Sequence, residues 1–291
     1  MQTGLQLLVT TIQIGSVYVL FSLGLTLIFG IMRVVNFAHG HFFAVSALVI
    51  SALMPRIAAS GFSVQAAYLL AVLAGISAAL ALAVFVYKFG LRFFTRDMDG
   101  AFILTLGMAL FLDGCLLWLF GGAVRSVPEI IGGTVSIAGV PITLQRLVLC
   151  FVAVAITAGL YWSMSATKLG KALRAVAADH EAAMLQGIPY NKIAFLGFMI
   201  AALLAAIAGA LIAPVSIVSP TMGTDYLMKT FISVVVGGLG SVPGAIIGAL
   251  FIALIEAVGG FYFDSSTATV AIFVLVIAVL LFRPKGLLGH G

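Results

Sequence analysis

From Leu5 to Phe29 no side chain carries a charge, and runs of this kind recur along the chain. A helix rises 1.5 Å per residue, so about 20 apolar residues cross the ~30 Å hydrocarbon core of a bilayer. Val64 to Tyr87, Ala101 to Phe120, Ile142 to Trp162 and Ile193 to Ala213 all reach that length. Val34 to Met54 reaches it too, but opens on the polar stretch Asn36-Phe37-Ala38-His39-Gly40-His41. Beyond Ala213 the pattern is irregular. Tyr226 to Val236 is short, the Gly-rich break Gly237 to Gly244 follows, Ala245 to Val258 is short again, and Ala268 to Phe282 closes the set. The expectation is an all-α polytopic membrane protein of about eight or nine transmembrane segments, one pair of them broken or re-entrant.

Charged residues make up 8% of the chain, against roughly 25% in soluble domains, so they cannot cover a water-soluble globule. No polar stretch is long enough for a second domain, and 1–291 reads as one transmembrane domain. Cys115 and Cys150 fall inside apolar runs and read as buried thiols that act as small hydrophobes. Met1 to Gly4 carries no basic segment and the first apolar run is too long for a secretory leader, so no cleaved signal is expected. The net charge of +5 comes from basic residues in short loops, which points to membrane orientation and not to nucleic acid. Lys/Arg-rich loops stay in the cytoplasm. That rule puts 88–100 and 163–192 inside, the N-terminus outside and the C-terminus inside, with ten of the 14 Lys and Arg on the inner side.

The loop 163–192 is the longest polar stretch. Leu169, Leu173, Val176, His180 and Met184 recur at helical spacing, which predicts one amphipathic helix from Thr167 to Gln186. Gly187 and Pro189 end it. Such a helix lies on lipid headgroups or docks into a groove on a cytoplasmic partner. The mixed charges Arg174, Asp179 and Glu181 favour docking, because a lipid-facing helix carries mainly Lys and Arg.

Polar groups at membrane depth are expensive unless they face a cavity or bond to a neighbour. Asn36, His39, Gly40 and His41 are therefore candidates for lining a translocation path, beside the plainer reading of a helix cap and interhelical hydrogen bonds. His39 and His41 point to different helix faces and no carboxylate stands near them in sequence, so no metal site is expected. Four glycines and a proline between Gly237 and Gly244 cannot form a continuous helix. Broken helices of this kind often line transport sites, so Gly237, Gly238 and Gly240 join the candidates; a cytoplasmic turn is the alternative. Asp113 and Glu256 are lone intramembrane acids, each either an ion relay or paired with a neighbouring helix. Asp225 and Lys229, four apart, read as a surface pair. The chain has no G-x-x-x-x-G-K-[ST], G-x-S-x-G or H-E-x-x-H motif, so no catalytic residue and no cofactor is expected.

Gly24-Leu25-Thr26-Leu27-Ile28-Phe29-Gly30-Ile31-Met32-Arg33-Val34-Val35-Asn36-Phe37-Ala38-His39-Gly40 resembles the N-terminal signature of permease subunits of branched-chain amino acid ABC importers. Leu169 to Ala177, with Ala182-Ala183 and Gly187-Ile188, is similar to that family's ATPase-coupling loop. Phe231 to Ser241 and Arg283-Pro284-Lys285-Gly286-Leu287 resemble its C-terminal signatures. The resemblance runs from Gly24 to Leu287. It implies a multi-pass subunit of the bacterial inner membrane that pairs with a second, related permease, two cytoplasmic ATPase subunits and an extracytoplasmic substrate-binding protein. It also implies that Gly170, Leu173, Arg174, Asp179, Glu181 and Gly187 belong to the ATPase-coupling segment. Many relatives carry Glu where this chain has His41, and the family also serves urea and short amides. A proton- or sodium-coupled secondary transporter using Asp113 or Glu256 is the alternative of a different class. The orientation predicts that a reporter fused after Gly291 works in the cytoplasm; activity only on the outer side would overturn it.

Overall fold

The computed structural model describes residues 2–94, 97–137, 139–283 and 286–288. Arg96 of the basic loop 88–100, and Pro284 and Lys285 of the last signature, lie outside them. The elements are α1 (Gln2–Met32), α2 (His39–Ala59), α3 (Val64–Phe89), α4 (Met98–Phe120), β1 (Thr134–Ile137), β2 (Val140–Thr143), α5 (Leu144–Ala166), α6 (Lys168–Ala178), α7 (His180–Leu185), α8 (Tyr190–Ile212), α9 (Met222–Gly237), α10 (Val242–Tyr262) and α11 (Ser265–Phe282). Seven helices among the described residues, α1 to α5, α8 and α10, are long and apolar enough to cross a bilayer. The 16-residue α9 and the 18-residue α11 bring the set to the upper end of the expected count. The small antiparallel hairpin β1–β2 was missed, although Val135, Ile137, Val140 and Ile142 stand at every second position of its two strands.

Side-chain caps start several helices where the apolar runs begin. Ser63 accepts from the Ala66 amide, Asp97 from Gly100, Thr167 from Gly170, Ser241 from Gly244 and Asp264 from Thr267. Each satisfies an amide that the helix itself leaves free. α1 forms the axis of the bundle: 83% of its most apolar window is buried, against 11% for α5. α10, α8, α5 and α9 pack around it, while α2 fits between α8, α3 and α9. Phe21, Phe42, Phe43 and Phe198 are fully buried where α1, α2 and α8 meet. α4 rests on α2, and α11 on α10 and α9. The basic residues Arg33, Lys88 and Arg92 lie at one end of the bundle with α6 and α7; the β-hairpin lies at the other.

The second apolar run is not a helix from Val34. α1 stops at Met32 because Arg33 takes a left-handed turn (φ 55°), rare for a residue with a Cβ. The next residues are irregular and α2 begins only at His39. Its start is deep in the bundle. The His39 ring lies against Gly24 of α1, which also faces the carbonyl of Ala201, the middle residue of α8. Gly24 is eight residues from the end of α1, a depth of about 12 Å. Non-helical backbone at this depth is tolerated only where protein covers it. α1 and α9 flank Val34–Asn36, and Thr105 of α4 donates to the Val35 carbonyl at 3.2 Å.

The expected helix 167–186 is two helices. Asp179 breaks it in an extended conformation (φ −153°) and caps α7, its carboxylate accepting from the Glu181 and Ala182 amides at 2.9 and 3.0 Å. Those amides, Ala182 first, hold the Asp179 carboxyl below the usual range, so the cap is present at neutral pH and lost only in acid. Gly187 ends α7 as expected, with φ 83°. The Ile188 amide reaches back to Ala183 and the Gly187 amide to Met184, the paired closure of a Schellman motif.

The Gly-rich break is smaller than expected, because α10 starts at Val242 and runs 21 residues. α9 and α10 form an antiparallel hairpin with a turn at Gly238 to Ser241. Gly237 and Gly244 face each other so closely that a Cβ on either would meet the other's carbonyl. The C-terminal segment folds back here, and the Leu287 and Leu288 amides donate to the Val236 and Gly237 carbonyls at 2.8 and 2.9 Å. Gly238 and Gly240 hold φ of 111° and 83°. Gly238→Val and Gly240→Val should each cost about 1–3 kcal/mol of stability, since a β-branched residue is strained there. Thermal unfolding of the purified chain checks this; unchanged midpoints in both variants would make the turn tolerant of side chains.

Candidate functional site

Asn36, His39 and His41 are 0%, 0% and 1% exposed. Asn36 Oδ1 accepts from the Ala38 amide at 3.1 Å and so caps the turn into α2. His39 stands edge-on to Phe21 and Phe42, with ring centroids 4.9 and 5.8 Å away. Among the described residues, Asn36 Nδ2 and the hydroxyls of Thr26 and Ser46 have no hydrogen-bond partner, and the His39 ring and His41 Nδ1 have only poorly aligned contacts with the Phe21 and Ala38 backbone. Each buried group left unpartnered costs about 1–3 kcal/mol, and native structures rarely gather several in one place. Gly40 brings the start of α2 against the start of α9: a Cβ there would meet the Gly223 carbonyl.

His41 has a carboxylate beside it after all. Its Nε2 lies 3.0 Å from Oδ1 of Asp113 on α4, and Thr224 on α9 donates to Asp113 Oδ2 at 3.2 Å. The acid lies 72 residues further along the chain, so no local spacing marks it. Asp113 is 25% exposed on a helix whose neighbouring side chains, Leu110 and Leu117, are bare. A carboxylate open to lipid is costly, so this face of α4 must be wet or covered. Below the cluster, toward the basic end, the Phe37 ring stands between Phe102 of α4 and Phe231 of α9, 5.2 and 6.1 Å away. The start of α2 and its lead-in thus lie between α4 and α9, joined to them by polar contacts at His41–Asp113–Thr224 and aromatic ones at Phe37.

A second polar cluster joins α1, α9 and α10. Glu256 accepts from the Tyr18 hydroxyl and from Lys229, the two charged side chains being 20% and 18% exposed. Lys229 was expected to pair with Asp225 on the surface; it pairs with Glu256 instead, because the α9–α10 hairpin sets Ser233 against Gly248 and leaves Lys229 about one turn from Glu256. Tyr18 and Thr224 were missed. Single opposite charges in adjacent apolar runs were a usable signal for the Lys229–Glu256 pair, whereas nothing local marks Tyr18.

Gly237, Gly238 and Gly240 do not join the mid-depth residues. They sit at the basic end, where Gly240 shares a cavity with Arg33, Ala177 and Ala178. Asn36 alone links the two sets, lining a small cavity with Leu239. In α6, Gly170, Leu173 and Val176 are buried. Leu173 reaches Gly197 of α8, and a Cβ at Gly170 would meet the Ser163 and Met164 carbonyls. Leu173 therefore anchors the segment to the bundle and is not the docking face expected of it. The outward face carries Arg174, Asp179 and Glu181, with Leu185 at 87% exposed. Cys115 and Cys150 are half-buried instead of buried.

The family model of the branched-chain amino acid transport system permease component matches residues 7–282. The chain belongs to that family. It is 32% identical over 297 residues to the high-affinity branched-chain amino acid transport system permease protein BraD of Pseudomonas aeruginosa, covering 98% of this chain and 96% of that one. The corresponding LivH protein of Escherichia coli K12 is 31% identical over the same shares. A probable LivH of Methanocaldococcus jannaschii is 27% identical, over 94% of this chain and 89% of its own. No solved structure matches. The protein is a multi-pass membrane permease subunit and not an enzyme, and its two polar clusters are built into the transport bundle. In the permease, Glu256→Gln and Lys229→Met should each destabilise the fold by leaving an unpaired charge. The double variant should cost about 1–3 kcal/mol less than the sum. Thermal melts of the three proteins test this, and strict additivity would show that the pair is not coupled.

Proposed function

We propose that the permease is the membrane subunit of an ATP-driven importer in the bacterial inner (plasma) membrane, carrying branched-chain or other small amino acids. It forms the translocation path with a second, related permease, and works with two cytoplasmic ATPase subunits and an extracytoplasmic binding protein. The basic end faces the cytoplasm. The observation that carries this reading is the α6–α7 pair: one side locked into the bundle by Leu173 and Val176, the other side presenting Leu185 among mixed charges. Such a surface suits a groove on a soluble partner. The names borne by the relatives favour branched-chain amino acids over urea or short amides. A secondary transporter needs an available carboxylate, and Glu256 is engaged by Tyr18 and Lys229.

The cargo path runs between α4 and α9. His41, Asp113 and Thr224 offer it polar contacts, and Phe37 narrows it toward the cytoplasm. Asn36 and His39 stand just behind, their poorly satisfied nitrogens finding partners when ATP-driven motion of α6–α7 shifts α1 and opens the lead-in to α2. Gly40, through its contact with Gly223, couples α2 to α9. At the cytoplasmic mouth Gly237, Gly238 and Gly240 form the rigid turn beside α6.

The test is the full importer reconstituted in liposomes. Leu185→Asp should lose ATPase association and cargo-stimulated ATP hydrolysis by an order of magnitude or more, since an unpaired buried charge costs several kcal/mol, with the membrane domain's melting unchanged. Leu173→Asp should lower the melting instead. Asp113→Asn should slow uptake while the ATPase stays bound. Retention of both the ATPase and its stimulation in Leu185→Asp would remove α7 from the coupling surface.

A further inference from the structure

Away from the space between α4 and α9, a slot runs along α1. Its floor is the α1 stripe Ile12, Ser16, Val19, Leu23 and Leu27, at helical spacing and so on one face. α5 and α10 both pack on α1 and supply the walls. Two cavities of about 250 and 500 Å³ adjoin there and share Thr157, Tyr161 and Ile246. The rim is bare: Ile12, Val154 and Tyr161 are 50%, 62% and 61% exposed. Ser16 satisfies its hydroxyl on the Ile12 carbonyl at 2.7 Å, so the outer half of the slot offers a ligand only apolar surface.

The end of the slot at α6 differs. Arg174 lines it, together with Ser165 and the Gly240 turn. Among the described residues Arg174 is in neither of the two salt bridges, and Lys171 is exposed one turn earlier on the same helix. A guanidinium beside an apolar slot, at the level where the helices leave the membrane, matches a phosphate on a hydrocarbon chain. The dimensions agree. Ile12 to Leu27 spans about 22 Å of helix rise, more than the ~15 Å of one leaflet, so an acyl chain entering at Arg174 lies wholly within the slot.

We propose that this slot is a binding site for an anionic phospholipid of the leaflet at the basic end, its phosphate on Arg174 and one acyl chain along α1 between α5 and α10. The site stands apart from the cargo path, and its test does not depend on transport. The full-length chain is purified in neutral detergent and titrated with dioleoylphosphatidylglycerol or dioleoylphosphatidylcholine under native mass spectrometry. Wild type should favour the anionic lipid about fivefold, the worth of roughly one basic side chain at an anionic surface. Arg174→Gln should abolish the preference and Arg174→Lys should keep it, while Thr157→Trp, which fills the slot, should cut the occupancy of both lipids. A preference that survives Arg174→Gln, or occupancy unchanged in Thr157→Trp, would overturn the proposal. So would efficient cross-linking of two copies through Val154→Cys in membranes, since a second permease would then cover the slot.

Discussion

Lipid offers no hydrogen bond to a backbone amide or carbonyl, and the fold is organised around the one place where the chain departs from helix at depth. Between Arg33 and Ala38 the backbone runs irregularly into the bundle before α2 begins. That departure is possible because α1, α4 and α9 enclose it, and because Thr105 and Asn36 supply the side-chain bonds that a helix would have made for itself. The long, almost fully buried α1, the close approach of Gly40 to Gly223 and the ring stack around Phe21 all serve that enclosure.

Charged groups in the membrane follow the same constraint. Asp113 and Glu256 each bind partners from two other helices, and both clusters link helices far apart in sequence. The two differ in setting. Glu256, tied to Tyr18 and Lys229, reads as a clamp holding α1, α9 and α10. Asp113 stays 25% exposed on its face of α4, where a carboxylate needs water or a polar ligand to be tolerable. The poorly satisfied nitrogens of Asn36 and His39 add to that contrast, for a purely structural core leaves few buried donors unmet.

At the basic end the coupling segment, the α9–α10 turn and the returning C-terminus meet. The stretches 231–241 and 283–287, similar to separate signatures of the family, are in contact: Leu287 bonds the last turn of α9. α6 is fixed to α8 by Leu173 and to α5 by Gly170, so movement of α7 would be carried into the bundle through side chains already packed.

The sequence by itself determined that this chain is a multi-spanning helical protein, where most helices run, and which short segments depart from the pattern. Those properties follow from apolar run length and from Gly, Pro and capping residues, all local. It also carried the family, through motifs spread over nearly the whole chain. Tertiary structure decided which way the residues face and whom they meet. A 3.6-residue period marks an apolar face without saying whether bundle or partner covers it, so Leu173 turned inward and Leu185 outward. Runs of uniform hydrophobicity give no register between helices, so neither the Asp113–His41 pair nor the exchange of Asp225 for Glu256 as the partner of Lys229 was legible. Only packing sets the depth at which a helix starts, and that places His39 in the middle of the bundle instead of at its edge.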